Sequence, residues 1–202
     1  MNFLYRFSSA LSQSIKSNVK GIDEDRLEVI NYGLYLFMSD TIKVGIILFI
    51  AISQGILLPA VITLLSLGIL RTFAGGVHSK TWLGCLSVNC IITFGIVYFS
   101  ISLSFLQPLL ICAVLAPVSF IIFYRYAPSD HENKPIMSNR QRRRLRITSF
   151  TLLILQSIIA SALAQPYSNI IMFSTIATSI SMLPVIYKIT ANHHSTFGTD
   201  EK

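Results

Sequence analysis

Six apolar segments, separated by short breaks, constrain this chain more than any other feature. They run over 41–57, 58–70, 82–106, 109–124, 147–164 and 167–187, with Pro59, Pro108 and Pro166 at or beside the breaks. A bilayer core about 30 Å thick takes about 20 apolar residues per helical span, with a usual range of about 17–25. In lipid each helix must satisfy its own backbone groups, so apolar segments of this length fold as helices. Segment 58–70 is short. It crosses only if its helix continues to Ala74, and is otherwise re-entrant. Composition agrees: 52% of residues are hydrophobic and 12% are charged, against about 25% charged in a soluble domain. The expected fold class is all-α integral membrane, an N-terminal amphipathic interfacial helix followed by a bundle of about six apolar segments, four to six of them spanning.

Charge sets the expected orientation. The turns near Pro59, Pro108 and Pro166 carry no Lys or Arg, whereas 125–146 carries Arg125, Lys134, Arg140, Arg142, Arg143, Arg144 and Arg146. Basic loops stay cytoplasmic, so 125–146 is expected inside. Counting back over two spans puts 71–81 inside as well, and the hairpin 147–187 returns the C-terminus to that side. The net charge of +7 is then a topology signal, and nucleic acid is not an expected partner.

The N-terminal region reads as a helix lying on the bilayer. Phe3, Leu4, Phe7, Leu11, Ile15 and Val19 share one face, with Arg6, Gln13, Lys16, Ser17 and Lys20 opposite. Such a helix suits an anionic lipid surface. Gly21 ends it, and Asp23 is placed to cap a second helix toward Met38. One domain over 1–202 is expected, with 1–40 interfacial or cytoplasmic, 41–187 the membrane bundle and 188–202 a cytoplasmic tail. No cleavable leader is expected at the N-terminus.

The chemistry concentrates in 71–85, a polar, glycine-bearing stretch between two apolar segments. It holds Arg71, Gly75, Gly76, His78, Lys80 and Cys85. A free thiol has a pKa of about 8.5, so a nucleophilic cysteine needs a nearby base or positive charge. His78 is a candidate base, with a reference pKa of about 6.5, and Arg71 and Lys80 add charge. A spacing of seven residues on one straight helix would separate the two side chains by about 10 Å along the axis. A dyad needs contact at about 3 Å. Either Gly75-Gly76 bends the loop back over the next helix, or the pair forms across a homodimer. Spacing alone does not separate such a dyad from an interfacial histidine and a small buried cysteine. Cys90 and Cys112 lie deeper in apolar runs and read as small hydrophobes. His131, His193 and His194 sit in polar regions. Three cysteines without regular spacing argue against a disulfide framework and a zinc cluster, and no metal or cofactor is expected.

Two stretches resemble the accessory gene regulator B (AgrB) family. The first is Ala74-Gly75-Gly76-Val77-His78 with Cys85 seven residues after the histidine. The second is Tyr126-Ala127-Pro128 followed by Asp130, Asn133, Lys134 and Pro135. The family's first motif often opens with paired basic residues; here Arg71 is followed by Thr72. The resemblance covers essentially the whole chain. It implies a bacterial membrane cysteine endopeptidase with His78 as base, Cys85 as nucleophile and Arg71, Gly75 and Gly76 in support. The implied partner is an AgrD-like precursor peptide. Its C-terminal tail is removed and a thiolactone or lactone ring forms, giving a quorum-sensing autoinducing peptide. The basic loop, through Lys134, Arg142, Arg143 and Arg144, would then dock an acidic precursor tail, beyond its role in orientation.

Two other classes compete. A small multispan transporter or peptide exporter would place acids or bases mid-membrane, and the third to sixth segments hold none there. A non-catalytic assembly or lipid-binding protein would not need His78 and Cys85.

Overall fold

The computed structural model describes residues 2–19, 21–76, 81–104, 107–129 and 138–189. All regular structure in them is helical. The chain divides into two compact units, 1–55 and 56–202.

In the first unit, α1 (Asn2–Asn18) packs on α2 (Glu24–Ser53). Gly21 turns the chain between them with φ +90°, a conformation that suits a residue without Cβ. The Asp23 carboxylate caps α2 by accepting from the Arg26 amide at 2.9 Å. Glu24 and Asp25 follow in the first turn, where negative charge complements the helix dipole. Lys16 pairs with Glu24. The face of α1 turned to α2 is its serine face. Ser8 and Ser12 are buried, and the Ser8 hydroxyl donates to Asn31 Oδ1 at 2.7 Å. Phe3, Phe7 and Leu11 remain 78%, 49% and 41% exposed. A row of exposed apolar side chains on a helix with cations elsewhere is the arrangement expected at a bilayer surface. The expected boundary near residue 40 falls inside α2, which runs unbroken through it. No Gly or Pro interrupts 34–44, so the helix has no reason to stop there.

The second unit contains α3 (Leu57–Ala74), α4 (Trp82–Ser102), α5 (Pro108–Tyr126), α6 (Asn139–Ala162), α7 (Tyr167–Ser181) and α8 (Pro184–Ile189). Helix α3 does continue to Ala74, which makes it about 27 Å long. Helix α6 starts well before its apolar segment, inside the arginine run, with Ser138 as its cap. Helices α2 to α6 are each long and apolar enough to cross a membrane. The protein is therefore an all-α, multi-pass membrane protein.

The sixth apolar segment departs from expectation. It is not one helix over 167–187: α7 stops at Ser181 and α8 opens at Pro184. Proline disfavours helical geometry in Leu183 and lacks an amide for the ladder. The last turn tightens instead, with the Met182 amide on Ser179 O at 3.2 Å and the Leu183 amide on Ile180 O at 3.0 Å. Helix α7 has 15 residues, about 22 Å. It lies against α3, α4, α5 and α6, so neighbouring protein covers it.

Small polar residues let α7 approach its neighbours closely. Ser168, Asn169, Ser174, Thr175, Thr178 and Ser179 are all buried. Gln156 of α6 donates to Ser66 O of α3 at 3.1 Å and accepts from the Thr175 hydroxyl at 3.1 Å. Asn169 donates to Leu103 O at 3.1 Å. Two apolar clusters flank these bonds. One holds Ile111, Cys112, Ala160, Ile171 and Met172. The other holds Leu70, Ala74, Phe123, Ala127, Leu153 and Met182, and it supports the stretch where the chemistry concentrates.

Candidate active site

Four parts of the chain meet at one pole of the second unit. Helix α3 ends at Ala74, and the Gly75 amide closes its last turn on Arg71 O at 3.0 Å. Arg71 is half-buried in that turn. Gly75 (φ +83°) and Gly76 (φ +134°) then leave the helix in conformations that side chains oppose. Gly75 forms an isolated parallel bridge with Ser129, and the Ser129 amide donates to Ala74 O at 2.8 Å. That bond satisfies a carbonyl that the helix end would otherwise leave open. A Cβ on Gly75 would lie 1.9 Å from the main-chain Ser129 O, and one on Gly76 would lie 2.5 Å from Ser181 Oγ, a side-chain tip that would have to move. The Ser129 and Tyr187 hydroxyls hydrogen-bond at 2.7 Å, and both residues are buried.

Helix α4 begins at the far end of the stretch. The Thr81 hydroxyl caps it by accepting from the Gly84 amide at 3.1 Å. Cys85 is the fourth residue of α4 and half-buried. Its amide donates to Thr81 O at 2.9 Å. The two amides nearest the thiol are thus engaged in starting the helix. Asn89 Nδ2 approaches Cys85 Sγ at 3.8 Å from the next turn. The indole Nε1 of Trp82, three residues before the cysteine, is buried with no partner among the described residues. Sequence reasoning passed over both Asn89 and Trp82. Spacings of four after and three before the cysteine put them on its helix face.

His78 and Lys80 lie in 77–80, outside the described residues, as does Lys134. Helix α3 ends at Ala74 and α4 starts at Trp82, on either side of 77–80. Gly75 meets Ser129 and Gly76 meets Ser181, residues from far along the chain, and Ser129 in turn meets Tyr187. Arg142, Arg143 and Arg144 are exposed on the early turns of α6. Arg146, also exposed, reaches across to α5: it donates to Tyr124 O at 2.9 Å and stands over that ring at 5.3 Å. Cys90 is half-buried and Cys112 buried, both free thiols. No group of three or more metal-binding side chains occurs among the described residues. A groove of about 390 Å³ between α5 and α6 is lined mainly by apolar residues such as Pro117, Phe120 and Leu153, with Ser157 and Ser161.

The sequence matches the family model for accessory gene regulator B over residues 8–182. An AgrB-like protein 2 of Clostridium perfringens (strain 13 / Type A) is 28% identical over 151 residues, covering 72% of this chain and 70% of the relative. The accessory gene regulator protein B of Staphylococcus intermedius is 26% identical over 160 residues, covering 77% and 81%. An AgrB-like protein of Clostridium acetobutylicum is 23% identical over 200 residues, covering 98% and 93%. No solved structure matches the chain. The match over most of the chain associates it with the processing of a quorum-sensing peptide. This multi-pass membrane protein belongs to the accessory gene regulator B family.

Proposed function

We propose that the chain is a membrane-embedded cysteine endopeptidase acting on a small AgrD-like precursor peptide. The observation that carries the reading is the half-buried Cys85 thiol, one turn inside α4 and seven residues after His78. It stands beyond a glycine pair docked on the second signature stretch at Ser129.

In this reading His78 takes the Cys85 proton, and Sγ attacks the carbonyl carbon of the scissile peptide bond. The C–N bond breaks, the imidazolium gives its proton to the leaving amine, and the C-terminal tail departs. A thioester remains on Cys85. A cysteine thiol of the peptide, or a hydroxyl in the lactone case, then attacks that carbonyl. The bond to Cys85 Sγ breaks, the ring closes and the enzyme thiol is restored. Thioester exchange is near neutral in energy and needs no cofactor. Water would compete by hydrolysis, and a thiol recessed in an apolar helix start limits its access. Since the amides of Gly84 and Cys85 are engaged, the buried indole N–H of Trp82 is the donor assigned to the developing oxyanion.

The ends of α3 and α5 meet through Gly75 and Ser129, which supports one side for both loops. The basic run of α6 then argues for the cytoplasmic side. Exposed Arg142, Arg143 and Arg144, with Lys134, dock an acidic precursor tail there. The test is co-expression with candidate short precursors and mass spectrometry of the products. Wild type is expected to release the tail and the ring, and His78→Ala and Cys85→Ala neither. Full cleavage by Cys85→Ser would sink the mechanism. Intact precursor appearing outside the cell would favour an exporter.

A further inference from the structure

We propose that Ser129 and Tyr187 act as a pair of positioning residues that fix the departure of the loop carrying His78. The inference rests on the reading of His78 and Cys85 as the working dyad. Five contacts carry it. The Ser129 amide bonds Ala74 O at 2.8 Å. The backbones of Gly75 and Ser129 form a bridge so close that no Cβ fits at Gly75. The Ser129 hydroxyl meets the Tyr187 hydroxyl at 2.7 Å. Gly76 rests against Ser181 at the end of α7. Across the loop, Thr81 caps α4.

The described chain is therefore anchored on both sides of 77–80. One end is held by α4's own cap. The other is held by chain more than fifty positions away, and His78 is only two residues beyond it. The Ser129 backbone carries the direct bond to α3. The Ser129–Tyr187 hydroxyl pair ties that backbone to α8 and excludes slack from the junction. Both residues are buried, so the bond is sheltered from competing water and costly to leave half-made. A general base must lie within hydrogen-bond reach of its proton. A displacement of about 1 Å at such a group costs about a hundredfold in rate. A device that fixes the loop's take-off therefore acts on the protonation of Cys85 without touching substrate.

The test reads Cys85 directly and needs no precursor. Full-length protein in proteoliposomes is treated with iodoacetamide across a range of pH, and modification of the Cys85 peptide is followed by mass spectrometry. His78→Ala is expected to slow alkylation at pH 7 by about tenfold and move the profile to higher pH. Ser129→Ala and Tyr187→Phe are each expected to move it the same way, slowing alkylation about three- to tenfold. The double variant should be no slower than either single one, because the two hydroxyls form one contact. Gln156→Leu, which breaks a buried contact elsewhere in the bundle, serves as the control for lost stability and should leave the profile in place.

A profile shifted by His78→Ala but unmoved by Ser129→Ala and Tyr187→Phe overturns the clamp and leaves the dyad standing. Additive effects, or an equal shift in Gln156→Leu, also overturn it. A profile unmoved by His78→Ala removes the dyad, and the clamp with it.

Discussion

The amide of Ser129 donates to the carbonyl of Ala74 at 2.8 Å. This one bond joins two signature stretches that are separated by two helices in the chain. It also explains the glycine that follows Ala74, since backbone meets backbone there with no room for a side chain.

Gly75→Ala and Gly76→Ala should differ in how they are rescued. The alanine Cβ at 75 would press on a main-chain carbonyl, whereas at 76 it would meet the Ser181 hydroxyl. We expect Gly75→Ala to abolish precursor cleavage and to destabilise the junction by more than about 2 kcal/mol, adding strained φ to the clash. Combining Gly76→Ala with Ser181→Ala should recover part of the activity, because the obstructing atom is gone. Thermal unfolding in detergent and cleavage assays measure both. Equal rescue of the two glycine variants by Ser181→Ala would contradict this geometry.

Trp82→Phe keeps a ring but removes the indole N–H. If that group donates to the oxyanion, tail release should slow by about a hundredfold with KM little changed. Alkylation of Cys85 should stay near wild type, since the thiol and its base are untouched. A variant slowed in both assays would make Trp82 a packing residue.

Arg142→Gln, Arg143→Gln and Arg144→Gln together should raise KM for a precursor with an acidic tail severalfold and leave kcat near its starting value. The effect should shrink as salt rises, because exposed charges are screened over about 10 Å at 0.1 M. Arg125, Lys134, Arg140 and Arg146 remain to hold the loop's side. Unchanged KM with topology preserved, checked by cysteine accessibility from each face, would count against docking.

Mixing His78→Ala with Cys85→Ala protein distinguishes the two ways the dyad can form. A loop bent back within one chain predicts no recovery, since neither copy holds both groups. Recovery toward about a quarter of wild-type activity would mean that the pair assembles across two chains. Precursor cleavage in co-reconstituted vesicles gives the answer.

Much of this protein is legible in the chain itself. Apolar run lengths determined that it is helical and crosses a membrane. Asp23 announced its cap, and Gly75-Gly76 announced a break that a helix would not tolerate. The seven-residue spacing showed that His78 and Cys85 could not act as a dyad from one straight helix. These are local consequences of helix rise, capping and φ preference, so nearby residues suffice to state them. Periodicity foresaw the open apolar face of α1, with Phe3, Phe7 and Leu11 exposed, but not that its serine face packs. It merged α7 and α8 because Pro184 sits in an otherwise unbroken apolar run.

What only the tertiary structure decided is the company kept by 71–85. That Gly75 lies on Ser129, Gly76 on Ser181, and Ser129 on Tyr187 follows from how α3, α5 and α7 end at one pole. Those end points depend on packing between helices, through Asn169 and the cluster beneath Ala74. Contacts between residues so far apart in sequence leave no local signature. The reactive residue types of the candidate site were therefore readable in the chain, and the frame that anchors them was readable only in the fold.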